Sequence, residues 1–128
     1  MASWQRINVP EISEFPAFAH AAIAGPHIYL AGMLALDGDA SGIVEGGIAE
    51  ETRQCFTYVE QILNGCGGAA LADIVKVTCY LTDLGEWEEM NGAYLEVFGP
   101  HTPARIAVGC ASLLFDAKVE FDCIAYRG

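Results

Sequence analysis

The sequence predicts an α+β fold: a single mixed β-sheet covered on one face by two helices. Three observations predict it. Two segments carry apolar residues at the three- and four-residue spacing of a helix face. Five other hydrophobic stretches are short and bounded by Gly, Pro or Asp, as strands are. Their order, two strands, then helix–strand–helix, then two strands, suits one sheet with its helices on one side.

Residues 18–24 (FAHAAIA) and 27–35 (HIYLAGMLA) read as strands joined at Gly25-Pro26, a turn signal. Residues 37–47 are rich in Gly and Asp and read as loop. The clearest helix follows at Ile48, where Ile48, Thr52, Cys55, Phe56, Val59, Ile62 and Leu63 form one stripe. Glu50 and Glu51 occupy its first turn, and Gly65 or Gly67 ends it. Residues 72–83 (ADIVKVTCYLTD) form a strand rich in β-branched side chains. A second helix runs through LGEWEEMNGAYLEVFG, with Leu84, Trp87, Met90, Tyr94, Leu95 and Phe98 on its apolar side, and stops at Gly99-Pro100. The last two strands span about 104–110 and 117–126. Residues 1–128 make one domain, with no internal repeat.

The composition narrows the function classes. The chain has 128 residues, with 53% hydrophobic side chains, 18% charged and a mean hydropathy of +0.32. That is apolar for a small soluble monomer, which has much surface to cover. No uncharged apolar stretch approaches the roughly 18 residues of a membrane-spanning helix. The excess therefore points to burial between copies of the chain rather than to a membrane. Two helices leave the second sheet face uncovered, which points the same way. A net charge of −11, from 17 acidic and 6 basic side chains, cannot assemble a phosphate-tracking surface, so nucleic acid is not the expected partner. The N-terminal segment MASWQRINVPEISEFP shows no basic region followed by an apolar core, and the expected location is the cytoplasm. The five cysteines, at 55, 66, 79, 110 and 123, form no CxxC pair and read mostly as core residues. His20, His27 and His101 form no ligand pattern, so no metal is expected.

One residue stands out. Arg105 heads a run, PARIAVGCASL, that is otherwise apolar or small. Alternation sets Arg105, Ala107 and Gly109 on one face of the strand, leaving room beside a guanidinium suited to grip a carboxylate through two parallel hydrogen bonds. The alternative is a salt bridge to an acid of the chain or of a neighbouring subunit. In KVEFDCIAY, Glu120 and Asp122 share a face with Lys118, Ile124 and Tyr126. Glu120 is either a solvated edge charge or a general base that faces the Arg105 cavity and holds a water. Asn91 lies near the apolar stripe of the second helix, where its amide needs partners, either a local cap or a site.

The two terminal strands, P103-A-R-I-A-V and K118-V-E-F-D-C-I-A-Y126, resemble the C-terminal signature of the RidA/YjgF family of small trimeric imine deaminases. D73-I-V-K-V-T-C-Y-L-T-D-L-G-E-W-E-E-M-N91 is similar to its strand–helix unit, and I28-Y-L-A-G-M33 to its early strand. The resemblance covers nearly the whole chain. It implies a chorismate-mutase-like fold, a homotrimer whose sheets close into a barrel-like centre, and sites in the clefts between subunits. Arg105 would bind the carboxylate of a 2-imino or enamine acid such as 2-aminoacrylate, and Glu120 would position the attacking water. The products would be a 2-keto acid and ammonia, with no cofactor. Phe18, Ala31, Gly32, Asn91 and Ala107 would contact substrate, Ala107 through its backbone.

The chain departs from the family pattern at several of these positions and a neighbour. Phe18 stands where Tyr is common, Ala31 where Ser is, Ala107 where Cys is frequent and Leu114 where Pro is common. Two hydroxyls are thereby lost, and the more apolar pocket suits a larger, more hydrophobic imino acid. Two other functions remain open: deamination of an unsaturated amino acid in a catabolic pathway, and a regulatory trimer that binds small carboxylates without turnover. The ribonuclease or translation-inhibitor label attached to related proteins fits poorly with six basic residues.

Overall fold

The computed structural model describes residues 3–128. Six strands form one sheet: β1 (Gln5–Ile7), β2 (Ala21–Ala24), β3 (His27–Leu30), β4 (Ile74–Leu81), β5 (Ala104–Gly109) and β6 (Val119–Tyr126). Their order across it is β1-β2-β3-β6-β4-β5, and all neighbours are antiparallel except the β4–β5 pair. The sheet is therefore mixed, as expected. The parallel pair needs a crossover, supplied by the second of two helices, α1 (Ile48–Asn64) and α2 (Trp87–Phe98).

Both helices lie on one face of the sheet. Phe56 of α1 meets Tyr94 and Phe98 of α2 edge-on and lies 4.6 Å from the Phe121 ring of β6, in the offset geometries that aromatic rings prefer. Val77, Cys79, Val119, Phe121 and Cys123 send buried side chains into the same layer. Cys55, Cys66, Cys79 and Cys123 are buried free thiols, so Cys66 joins the core as well, while Cys110 is only partly covered. The other face has no such cover. Tyr29, Ile106 and Tyr126 stand exposed on it, an apolar surface the alternation of the strands anticipates. No helix among the described residues is long and apolar enough to cross a membrane.

Several boundaries differ from the sequence reading. The first hydrophobic stretch is a strand only over Ala21–Ala24, because His20 is occupied in holding the N-terminal segment. Its Nδ1 accepts from the Val9 N–H at 3.0 Å, its Nε2 donates to the Ser13 carbonyl at 2.9 Å, and its own N–H donates to Asn8 Oδ1. The second strand ends at Leu30. Beyond it, Met33 exchanges two backbone hydrogen bonds with Phe121 at 2.7 and 3.1 Å. β1, three residues with no buried alternation, left no signal in the sequence. In α2 the buried residues are Met90, Ala93, Tyr94 and Phe98, whereas Leu84, Trp87 and Leu95 are exposed. A separate turn at Leu84–Glu86, capped by Asp83, resets the helical phase, so a stripe counted from Leu84 runs off the buried face.

Candidate active site

Arg105 lies on β5, the edge strand, opposite Val77 of β4. Since Val77 is fully buried under the helices, Arg105 and Ala107 face the helix side. The guanidinium carbon sits 4.7 Å above the Tyr94 ring and 5.9 Å from that of Trp87. A cation over an aromatic face is stabilised by about 0.5–2 kcal/mol, and the stacking fixes the fork without using its N–H donors. Among the described residues Arg105 forms no ion pair; the paired cations are Arg53, with Glu50 and Glu96, and Lys118, with Glu86.

The surroundings of Arg105 carry further unused polar atoms. Trp87, Asn91 and Tyr94 recur on one side of α2, and both the Asn91 Oδ1 and the Tyr94 hydroxyl are buried without a partner. Burial pushes the Tyr94 phenol far up, so it stays protonated and can donate. Cys110 N–H donates to the Leu81 carbonyl, and strand alternation then turns the N–H and C=O of Arg105 and Ala107 away from β4. The free edge of the sheet thus presents backbone groups beside a cation that lacks an anion.

Glu120 lies elsewhere. It pairs with Tyr80 across β4, on the face away from the helices. Arg105 pairs with Val77, further along β4 and on the opposite face, with β4 itself between β5 and β6. Within one chain the two residues do not face a common cavity. The sequence alternative in which Glu120 faces the Arg105 cavity therefore fails inside a single subunit and requires a second copy.

The Met33–Phe121 bridge lays residues 31–33 along β6 and sets Gly32 against the Glu120 carboxyl. A Cβ at position 32 would run into the Glu120 Oε2, so any side chain there would push the carboxyl out of its place. Burial, and then the nearby Asp122, hold the Glu120 carboxyl above its ordinary value. A hollow of about 320 Å³ on this face is lined by Gly32, Tyr80, Cys110, Leu113, Glu120 and Asp122. On its other side Gly32, with Ala31 and Phe18, borders a second, mostly apolar cavity of about 330 Å³.

The residues singled out in the sequence thus fall into two groups. Arg105, Asn91 and Ala107 belong to the donor-rich edge beside α2, and Phe18, Ala31, Gly32 and Glu120 surround the two hollows. Sequence reasoning missed Tyr94 and Trp87 as the bed of the arginine, having read both as apolar stripe. The spacing of Trp87, Asn91 and Tyr94 on one helix side was the signal available. It also missed Glu51, 3% exposed, whose Oε1 accepts the Lys118 N–H at 2.8 Å at the entry to β6. Among the described residues no three His, Cys, Asp or Glu side chains stand together as metal ligands.

Comparison with known proteins adds the following. The family described as endoribonuclease L-PSP matches residues 11–127. A RutC family protein of Pyrococcus abyssi is 39% identical over 110 residues, 86% of each chain. The 2-iminobutanoate/2-iminopropanoate deaminase of Bos taurus is 32% identical over 111 residues, 87% of this chain and 80% of that one. The crystal structure of the YjgF gene product of E. coli superposes with a TM-score of 0.82 at 29% identity, covering 94% of both chains.

Proposed function

The chain belongs to the endoribonuclease L-PSP family, the RidA/YjgF proteins, and on that premise we propose that it hydrolyses reactive 2-imino or enamine acids to 2-keto acids and ammonia. The site is assembled between subunits of a homotrimer. Arg105, Asn91 and the Ala107 backbone come from one copy, and Glu120, Gly32, Ala31 and Phe18 from the next. The observation that carries this reading is Arg105: a guanidinium oriented by two aromatic rings, beside unpartnered polar atoms, with no acid among the described residues to meet it. The uncovered apolar sheet face supports the assembly. The relatives named as imine deaminases support the reaction.

The chemistry asks little of the protein. Arg105 holds the substrate carboxylate through two hydrogen bonds, which fixes the imine carbon relative to the next subunit. Glu120 takes a proton from water as the oxygen attacks that carbon and returns it to the nitrogen. The hydroxyl proton of the resulting carbinolamine then passes through Glu120 to the nitrogen, and ammonia leaves as the C=O forms. Protons and oxygen balance with water as the sole co-reactant, and no cofactor enters. Four of the six basic side chains, at 6, 76, 105 and 127, carry no ion pair among the described residues. That is too few for a nucleic-acid footprint on a chain of net charge −11. The protein is proposed to work in the cytoplasm, in damage control over reactive imines.

The test is a coupled assay in which an amino acid oxidase with catalase generates imines in the presence of semicarbazide. The wild type is expected to lower the semicarbazone signal and Arg105→Ala to restore it, with the sedimentation of the assembly unchanged. Loss of assembly in that variant would make Arg105 an interface residue instead. One observation favours a second reading, a regulatory trimer that binds small carboxylates without turnover: Phe18 and Ala31 bring no hydroxyl to the cleft. Binding of 2-ketobutyrate or benzoate with no imine turned over would establish it.

A further inference from the structure

One unexplained feature is the apolar cavity on the far side of Gly32. It holds about 330 Å³, enough for the body of a small ligand, and is open on one side. Phe15 and Phe18 stack 5.2 Å apart along one wall, and Tyr58, Leu114 and Phe115 contribute to the rest. Tyr58 donates its hydroxyl to the Leu36 carbonyl at 2.6 Å, so it shows the cavity its ring rather than a free polar group. Leu114 and Phe115 remain 72% and 50% exposed, although both are large and apolar. They lie in a turn where Phe115 and Asp116 adopt φ of 60° and 57°. This is a left-handed conformation that side chains as bulky as Phe115 avoid. The backbone thus holds Phe115 at the cavity in a strained conformation instead of turning it into the core.

Resting on the deaminase reading, we propose that this cavity is the side-chain subsite of the enzyme and that it selects 2-imino acids with aromatic or branched aliphatic side chains. Gly32 is a wall common to this cavity and to the Glu120 hollow, so a substrate whose imine carbon lies beside Glu120 is within reach of the apolar space with its side chain. An alanine-derived imine would leave the space empty and forgo its contacts. Glu11 and Asp37 stand in the lining, so an anionic side chain is repelled. Phe18 and Ala31 become specificity residues under this assignment, because hydroxyls there would place polar atoms against an apolar side chain.

The products report on the subsite without requiring turnover. Titration calorimetry on the intact assembled protein should show phenylpyruvate and 4-methyl-2-oxopentanoate binding at least about tenfold more tightly than pyruvate. 2-Oxoglutarate should bind no more tightly than pyruvate. Phe115→Ser should shrink the phenylpyruvate preference to under about threefold, and Leu114→Trp, which fills the space, should shift preference toward pyruvate. Both positions are exposed, so thermal melts should stay close to wild type. Equal binding of the three keto acids, or an equal loss for all of them in Phe115→Ser, overturns the proposal. A change of sedimentation in Phe115→Ser does so too, since it would make that wall a contact between copies. The two readings separate cleanly. Arg105-dependent turnover with a flat ranking of keto acids sinks the subsite alone, whereas ranked binding with no imine turned over sinks the deaminase reading alone.

Discussion

Glu120 carries a carboxyl whose proton is harder to remove than usual, because burial and then the adjacent Asp122 disfavour its charge. As the proposed general base it must be ionised, so kcat/KM should fall on the acid side with a midpoint above the ordinary carboxylate value. Glu120→Gln should remove that limb and lower kcat/KM by about 10²- to 10⁴-fold. A pH–rate profile of both proteins on one imine checks this, and an unchanged acid limb in the variant would assign it to another group. Gly32→Ala makes a narrower test. Its methyl group would displace the carboxyl without altering any ionisable residue. A shift of about 1 Å is enough to cost about a hundredfold in rate. Folding should be little affected, as position 32 is exposed.

At the scale of elements, Glu51 ties the first turn of α1 to the entry of β6, since its Oε1 accepts the Lys118 N–H. Burial is the largest influence on Glu51, raising its affinity for a proton above that in the unfolded chain. The folded state therefore binds more protons in mild acid, and this group's contribution to stability is lost as pH rises through its folded pKa. Glu51→Gln should flatten that slope in urea melts recorded across mild acid to neutral pH. Glu51→Ala, which leaves the part-buried Lys118 N–H without its acceptor, should cost about 1 kcal/mol. Elements with strong periodicity were legible in the chain: the buried residues of α1 include every one its spacing implied, and the alternation of β6 is as read. What could not be read depended on contacts far along the sequence. Nothing local to Glu51 says that residue 118 will meet it. Nothing near Arg105 says that Tyr94 lies beneath it, or that the strand carrying Glu120 presents it to the other face. The stretch ending at His20 looked like strand because its side chains suit one, and it is diverted by three hydrogen bonds to residues 8–13.

For the whole molecule, the sheet has one covered face and one that displays Tyr29, Ile106 and Tyr126 to solvent. With the residues of the proposed site divided between two places in each chain, activity and assembly should be lost together. Tyr29→Lys combined with Ile106→Lys should give a smaller species in analytical ultracentrifugation and abolish imine turnover, while the helix signal in circular dichroism persists. Turnover by a fully monomeric variant would place the whole site within one chain. Mixing Arg105→Ala with Glu120→Gln chains and allowing exchange should restore part of the activity, because some clefts then receive both intact halves. No recovery after demonstrated exchange would mean that the two residues do not serve one cleft.

β5 also has a bearing on the life of a newly made chain. Its outer rim of unpaired N–H and C=O groups is a template for any other strand, and a solitary chain must find its copies before it finds a fibril. Arg105 is the one charged residue of that strand, and a charge in that position is expected to oppose stacking whatever its part in binding. Its replacement by alanine should leave assembled protein sound yet raise the share of chains lost to aggregates during synthesis, a burden felt at production and invisible in the purified protein.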